Sequence, residues 1–141
     1  MPIKAIIIDD ERLARNELKK LLEQHPDINI IDEASNVDEA IEKIDLSRPD
    51  LIFLDIQMPG KTGFDLLAEI EKSPRVIFTT AYDEFALKAF EVNALDYLLK
   101  PIDPKRLADA IQKLQTEIAL EQASLLGVNR GPLTEIDQVF V

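Results

Sequence analysis

The sequence has no cysteine and only one histidine, His25. The lack of cysteine excludes a disulfide scaffold, a thiolate metal site and a cysteine nucleophile. A single histidine excludes a multi-histidine metal site and a histidine relay, and we assign His25 no functional role. The 141 residues are enough for one domain with a sizeable core, so folding requires neither disulfides nor a structural metal.

Basic residues are scarce: 16 Lys and Arg stand against 27 Asp and Glu, for a net charge of −11. Nucleic acid and anionic membranes would repel such a surface, so the chain itself is not expected to bind either. No apolar run approaches the roughly 20 residues of a membrane span. The paired acids Asp9 and Asp10 come too early for a signal peptide. We therefore expect a cytoplasmic protein.

Short apolar runs alternate with amphipathic stretches along the chain. The runs predict five strands, at Ile3–Ile8, Ile28–Ala34, Leu51–Leu54, Val76–Thr79 and Asp96–Leu99. The amphipathic stretches predict five helices: Glu11–His25, one from Val37 capped by Ser35 or Asn36, one around Phe64–Ala68, a short one over Glu84–Val92, and one from Asp103-Pro104 to about Leu126.

This β-α alternation, repeated five times, predicts an α/β fold. Strands that lack clean polar alternation and are separated by helices imply a parallel sheet covered on both faces. We predict a doubly wound, flavodoxin-like (βα)5 sheet with strand order 2-1-3-4-5.

Polar residues follow four of the predicted strands. Asp9 and Asp10 follow the first strand, Asp55 the third, Thr80 the fourth and Lys100 the fifth. Ligands of such sheets bind at the carboxyl ends of the strands, so we expect these side chains to converge. Three crowded carboxylates repel one another unless a cation joins them, and oxygen ligands at a shallow rim suit Mg²⁺ or Mn²⁺.

This arrangement has the parts that phosphoryl transfer requires. Asp55 can serve as a carboxylate nucleophile, forming an aspartyl-phosphate. Lys100 can neutralise charge on a phosphoryl group, and Thr80 can donate a hydroxyl hydrogen bond to it.

Each of these residues also has an ordinary structural interpretation. The acid pair and Thr80 could cap helices, Asp55 could be a turn residue, and Lys100 could be a solvated lysine. Pro101 could be a strand terminator, although a cis bond after Lys100 is also possible. Five polar residues at matching ends of four strands favour the functional interpretation over these.

Four segments together resemble the receiver domain of two-component response regulators: Ile6–Glu11, Leu54–Gly60, Phe78–Ala81 and Asp96–Pro101. The match covers about residues 3–122. It implies that Mg²⁺ is held by Asp9 or Asp10, by Asp55 and by the backbone carbonyl of Gln57. It also implies that Asp55 accepts phosphate from a histidine kinase or a small phosphodonor.

The same resemblance implies that Thr80 and Lys100 bind the phosphoryl group and that Tyr97 is the switch aromatic. Gly63 stands where the family usually has a glycine, after the loop that joins the third strand to the third helix. We expect phosphorylation to promote homodimerisation through the face formed by helix four, strand five and helix five. Charged residues on that face could supply inter-subunit pairs or merely be solvated: Lys88, Glu91, Asp96, Lys105, Arg106 and Asp109.

A finer resemblance is to receivers of the LytTR class, and it rests on Asp10–Arg15, Thr80–Phe85 and Ala89–Pro101. It implies a C-terminal LytTR DNA-binding domain, through which alone the protein would contact DNA. We therefore expect a receiver over residues 1–126. Residues 127–141 are then expected to be a linker and the start of that domain, and to be mobile or ordered only by another chain.

Two other functions remain open from the sequence. A haloacid-dehalogenase-type phosphatase also uses Mg²⁺ and an aspartyl-phosphate, but it usually has a second Asp two residues after the nucleophile, where this chain has Gln57. A stand-alone receiver would act by protein contacts alone, and the apolar ending Gln138–Val141 argues against it. We favour a phosphorylation-dependent switch over a turnover enzyme.

Overall fold

The computed structural model describes residues 2–126, so the predictions for residues 127–141 lie outside the described residues. Within that range five strands alternate with five helices. Their bounds are β1 (Ile3–Ile8), α1 (Arg12–Leu22), β2 (Ile28–Ala34), α2 (Val37–Ser47), β3 (Leu51–Asp55), α3 (Gly63–Glu69), β4 (Arg75–Thr80), α4 (Ala86–Glu91), β5 (Asp96–Leu99) and α5 (Pro104–Leu125).

The five strands form one parallel sheet in the order β2-β1-β3-β4-β5, which confirms the predicted topology. β1 and β3 are neighbours in register, with Ile8 beside Leu54. Asp55 pairs with Thr79 of β4, and Thr80 pairs with Leu99 of β5. Asp55 and Thr80 are therefore the last residues of β3 and β4, because each strand continues one residue beyond its predicted end. The residues at these strand ends meet at one edge of the sheet.

The central strands are apolar because both faces of the sheet are covered. Ile6, Ile8, Ile52 and Leu54 are fully buried. On one side they pack in a single cluster with residues of α2 and α3, including Leu66. Burying one such side chain stabilises the fold by about 1.5–3 kcal/mol, so these strands form a firm base for the edge where they end.

Helix boundaries differ from the predictions in two places. α1 stops at Leu22 rather than His25, because His25 precedes Pro26 and the residue before a proline disfavours the helical region. The predicted fourth helix divides into a 3-10 turn, Asp83–Phe85, and the shorter α4. Asn93, with a φ of 61°, lies in the left-handed region just beyond α4.

Of the two candidate caps of α2, Asn36 is the N-cap residue. The Asn36 side chain accepts a hydrogen bond from the Glu39 backbone N–H at 2.8 Å. The backbone N–H and the hydroxyl of Ser35 both donate to the Glu39 carboxylate. This reciprocal pattern satisfies backbone donors at the helix start.

The chain divides into two units, with the boundary after Leu107. The first unit holds the sheet, α1 to α4 and the first turn of α5. The described part of the second unit continues α5, with Ile111, Leu114 and Ile118 at helical spacing. Among residues 2–126, no helix is both long enough and apolar enough to cross a membrane.

Candidate functional site

Three carboxylates meet at the carboxyl edge of the sheet. Oxygen atoms of Asp9, Asp10 and Asp55 all lie within 4.8 Å of one another. Asp9 and Asp55 are 3% and 4% exposed, while Asp10 is more open. Hard, charged oxygen ligands on one partly open rim suit a small divalent cation that keeps some of its water.

Asp9 is held at every polar group. Its backbone N–H donates to the Ala34 carbonyl at 3.0 Å. Its Oδ1 accepts the Glu11 backbone N–H at 2.9 Å, and its Oδ2 accepts Lys100 Nζ at 2.7 Å. Asp9 thus shapes the turn before α1 but does not cap the helix, since the N-cap residue is Glu11 and no side chain caps it. Asp9 also faces the site.

Lys100 is not a solvated lysine. Its Nζ lies 2.7 Å from Asp9 Oδ2 and 3.7 Å from Asp55 Oδ2. Its backbone N–H donates to the Thr80 carbonyl at 2.7 Å, and its peptide bond to Pro101 is cis. Burial opposes the charge, but the hydrogen bond to Asp9 and the charge of Asp55 outweigh it and raise the pKa of Lys100. The ammonium therefore stays protonated beside the two acids.

The environment of Asp55 disfavours its charged form. Burial, together with the neighbouring charges of Asp9 and Asp10, raises the pKa of Asp55 to about 7. Lys100 and the backbone N–H of Gln57 offset only part of this effect. The cluster therefore carries uncompensated repulsion that a bound cation would relieve.

This repulsion has a consequence for stability in the metal-free protein. Asp55 has an ordinary pKa of 3.8, so between pH 4 and 7 the folded chain keeps a proton that the unfolded chain releases. Its contribution to stability therefore falls as the pH rises through this range. We expect Asp55→Asn to raise the melting temperature by about 5 °C at pH 8, and by less at pH 5.

Calorimetry in the presence of a chelator measures both values. Because Asp55 is buried beside two other acids, the rise in melting temperature caused by Asp55→Asn should be larger at pH 8 than at pH 5. An Asp55→Asn protein that melts below the parent at pH 8 would show that the carboxylate is not under repulsion.

Thr80 and Gln57 flank Asp55. Thr80 is fully buried one residue past the β4 partner of Asp55. Its Oγ1 accepts the Tyr82 backbone N–H at 3.2 Å, so it fastens the loop after β4 rather than capping a helix. Gln57 is exposed and supplies a backbone N–H to the Asp55 carboxylate.

Gly63 lets α3 begin directly against the end of β3. Its backbone N–H donates to the Ile56 carbonyl at 2.9 Å. A Cβ atom at this position would lie 2.6 Å from the Asp55 carbonyl oxygen and 3.0 Å from Leu54 Cγ. A larger residue would push against the backbone that carries Asp55, which explains the glycine that the sequence singled out.

Tyr97 is tied to the same loop as Thr80. Its hydroxyl donates to the Tyr82 carbonyl and accepts the Phe85 backbone N–H, the latter at 3.3 Å. Sequence reasoning did not find this contact. Thr80 and Tyr97 thus both hydrogen-bond to one segment, residues 82–85.

Two charges on the expected dimer face pair within the chain instead. Arg106 donates to both Asp96 oxygens, at 2.7 Å and 3.1 Å, and to the Tyr97 carbonyl at 3.2 Å. Asp96 is buried. The two hydrogen bonds from the Arg106 guanidinium group compensate its carboxylate for the loss of water. The Asp96 carboxylate is thus satisfied within the chain, whereas the Arg106 side chain remains 42% exposed.

The response regulator receiver domain family matches residues 5–112. An uncharacterised response regulatory protein of Vibrio cholerae is 45% identical, covering 97% of this chain and 63% of the relative. The sensory transduction protein LytT of Bacillus cereus is 46% identical, with coverages of 82% and 48%. The transcriptional regulatory protein BtsR of Escherichia coli is 45% identical, with coverages of 93% and 56%. The chain thus spans about half to two thirds of these relatives.

Solved structures give the same fold. The REC domain of AraT, a response regulator from Geobacillus stearothermophilus, superposes with a TM-score of 0.77 at 33% identity, covering 86% of this chain and 99% of that one. The response regulatory domain of protein mrkE from Klebsiella pneumoniae superposes with a TM-score of 0.75 at 36% identity, with coverages of 85% and 99%.

Proposed function

Because the chain belongs to the response regulator receiver domain family, a family of signalling switches that work with sensor histidine kinases, we propose that Asp55 accepts a phosphoryl group in a Mg²⁺-dependent reaction. The donor is a histidine kinase or a small phosphodonor. The observation that carries the proposal is the convergence of Lys100 and two further carboxylates on a buried Asp55 at the carboxyl edge of the sheet.

The donor set fits a divalent cation. Carboxylates of Asp9 or Asp10 and of Asp55, with the Gln57 backbone carbonyl, would hold Mg²⁺ or Mn²⁺ through hard oxygen atoms. Bound there, the cation supplies charge neutralisation for the acid cluster and for the phosphoryl oxygens. The clustered carboxylates and the raised pKa of Asp55 support this assignment.

The chain's own residues then perform the transfer. A carboxylate oxygen of Asp55 attacks phosphorus, a new O–P bond forms, and the bond from phosphorus to the donor's leaving group breaks. Lys100, already between Asp9 and Asp55, pairs with the charged phosphoryl oxygens. The Thr80 hydroxyl turns to donate a hydrogen bond to another of them.

The competing proposal is an aspartyl-phosphate phosphatase. It would need an acid-base group two residues after the nucleophile, and Gln57 cannot exchange a proton in that role. Incubation with Mg²⁺ and acetyl phosphate, followed by intact mass analysis and phosphate release, separates the two. A switch gains one phosphoryl group per chain, whereas many phosphates released per chain would favour the phosphatase.

We propose that the signal leaves the site through residues 82–85. This segment is hydrogen-bonded by Thr80 Oγ1 and by the Tyr97 hydroxyl. A phosphoryl group on Asp55 draws the Thr80 hydroxyl toward itself, which releases the Tyr82 N–H and lets Tyr97, already partly buried against the core cluster, turn further inward. A two-state element biased by a local charge is what such a switch requires.

The face carrying α4, β5 and the start of α5 is our proposed dimer contact. α4 exposes Leu87 and Phe90, at 70% and 77%, and Leu99 of β5 is also exposed. Apolar side chains of this kind supply contact area, while Lys105 and Glu91 lie on the same elements. We expect phosphorylation to convert the chain to a dimer, with Leu87→Ser and Tyr97→Ala each reducing the dimer fraction by about tenfold.

Sedimentation with and without acetyl phosphate measures this effect. Leu46→Ser is the matched control, because Leu46 is an 82% exposed leucine on α2, outside the proposed face. If the parent mass does not rise on phosphorylation, or if Leu46→Ser behaves like Leu87→Ser, the dimer proposal fails.

We also propose that residues 1–126 are the receiver and that residues 127–141 lead into a LytTR-type domain that alone contacts DNA. The names of the relatives LytT and BtsR, a sensory transduction protein and a transcriptional regulator, support a transcriptional output.

A further inference from the structure

The Arg15 guanidinium joins three elements of the fold beneath the acid pair. Its Nη1 donates to the Asp9 backbone carbonyl at 2.7 Å, and its Nε donates to Glu33 Oε1 at 2.8 Å. Arg15 lies on α1, Glu33 on β2, and Asp9 directly follows β1. The Arg15 side chain is only 15% exposed. A planar guanidinium group with two of its nitrogen atoms hydrogen-bonded has little freedom to move.

The carbonyl that Arg15 holds belongs to the peptide unit between Asp9 and Asp10. A peptide unit is planar, so fixing this carbonyl also fixes the direction in which the chain leaves toward the Asp10 Cα. The Asp9 side chain is held separately by Glu11 and Lys100. Within these contacts, the Arg15 bond is the one that acts on the peptide carrying Asp10.

We propose that Arg15 is a positioning residue that orients the Asp9–Asp10 peptide so that the acid pair presents its carboxylates to the divalent cation. The inference rests on the metal site proposed above. Glu33 holds the other end of the Arg15 side chain through its Oε1 atom. Its second oxygen, Oε2, accepts Lys19 Nζ at 2.6 Å and does not contact Arg15.

The sign of the effect distinguishes positioning from electrostatics. A positive charge near a cation site repels the cation, so removing Arg15 should strengthen Mg²⁺ binding if only its charge mattered. Positioning predicts the opposite, because a peptide free to rotate must be ordered again when the metal binds. The two explanations thus differ in direction as well as in size.

The experiment is a calorimetric titration of Mg²⁺, without phosphodonor, into the parent, Arg15→Gln, Arg15→Lys and Lys19→Gln. All are measured at a temperature where circular dichroism shows each protein folded. Lys19→Gln is the matched control, because it removes a cation from the same Glu33 without touching the Asp9 carbonyl. Amide exchange at Asp10 and Glu11 in the metal-free proteins gives a readout that does not depend on the metal.

We expect Arg15→Gln to raise the Mg²⁺ Kd roughly tenfold and to speed exchange at Asp10 and Glu11. Arg15→Lys keeps the positive charge but loses the planar guanidinium group, so it raises the Mg²⁺ Kd by less than Arg15→Gln does. Lys19→Gln stays within about twofold of the parent. If Arg15→Gln fails to fold, the Mg²⁺ Kd of Arg15→Lys is compared with that of Lys19→Gln. Weaker binding by Arg15→Lys alone supports the positioning role, and equal Kd values overturn it.

The outcomes separate this inference from the proposed function. A parent that binds Mg²⁺ with an Arg15 variant that binds equally well or more tightly overturns the positioning role alone. Equal weakening in Lys19→Gln also overturns it. A parent that binds no Mg²⁺ overturns the proposed metal site and this inference with it.

Discussion

Asp55→Asn protein gains no phosphoryl group when it is incubated with Mg²⁺ and acetyl phosphate, whereas the parent gains one per chain. The carboxylate oxygen is the nucleophile in our account, and an amide oxygen in its place does not form a stable acyl phosphate. The two side chains have nearly the same shape, so the buried site keeps its packing. The substitution also relieves repulsion with Asp9 and Asp10, so the loss cannot be attributed to unfolding.

Intact mass spectrometry measures the adduct. Asp45→Asn is the matched control, since it makes the same chemical change at an exposed position on α2 and should label like the parent. Full labelling of Asp55→Asn would place the acceptor elsewhere.

The second large effect concerns the metal. We expect Asp10→Asn to raise the Mg²⁺ concentration for half-maximal phosphorylation by roughly 10- to 100-fold. Asp10 is the more open member of the acid pair, while both carboxylate oxygens of Asp9 already accept hydrogen bonds, from Glu11 and Lys100. Asp9 therefore cannot easily replace it as a ligand.

The matched control for this substitution is again Asp45→Asn, which removes one negative charge away from the cluster. A loss of affinity that is confined to Asp10→Asn identifies a ligand. A similar loss in both variants would mean that the general field of the protein, and not Asp10, governs metal binding.

Much of the fold could be predicted because the strands have a recognisable sequence pattern. A strand buried on both faces is a short apolar run, and β1, β2 and β5 have the predicted bounds. The ends of helices were less predictable, since they depend on local competition. Pro26 shortens α1, and Asn93 lies just beyond the short α4.

The 3-10 turn before α4 could not be predicted from the sequence, because it depends on a contact with a distant part of the chain. Its backbone is held by the Tyr97 hydroxyl, which comes from a strand that follows it in the chain. The intrachain pair of Asp96 and Arg106 was missed for the same reason, because spacing alone does not reveal which face of β5 the carboxylate occupies.

The candidate site was predictable as positions but not as contacts. The topology places Asp9, Asp55, Thr80 and Lys100 at the ends of neighbouring strands, and the sequence reveals that topology. It does not reveal that Lys100 sits closer to Asp9 than to Asp55. That difference depends on distances between side chains, which are set only in the folded structure.

Mapping the phosphorylated residue distinguishes Asp55 from the other possible acceptors. Borohydride reduces an aspartyl-phosphate to homoserine, and a peptide map of the reduced, phosphorylated parent then reports the modified residue. We expect homoserine at position 55 and unmodified aspartate at positions 9 and 10. Modification at Asp9 or Asp10 with Asp55 left intact, or a stable phosphoryl group on His25, would contradict this expectation.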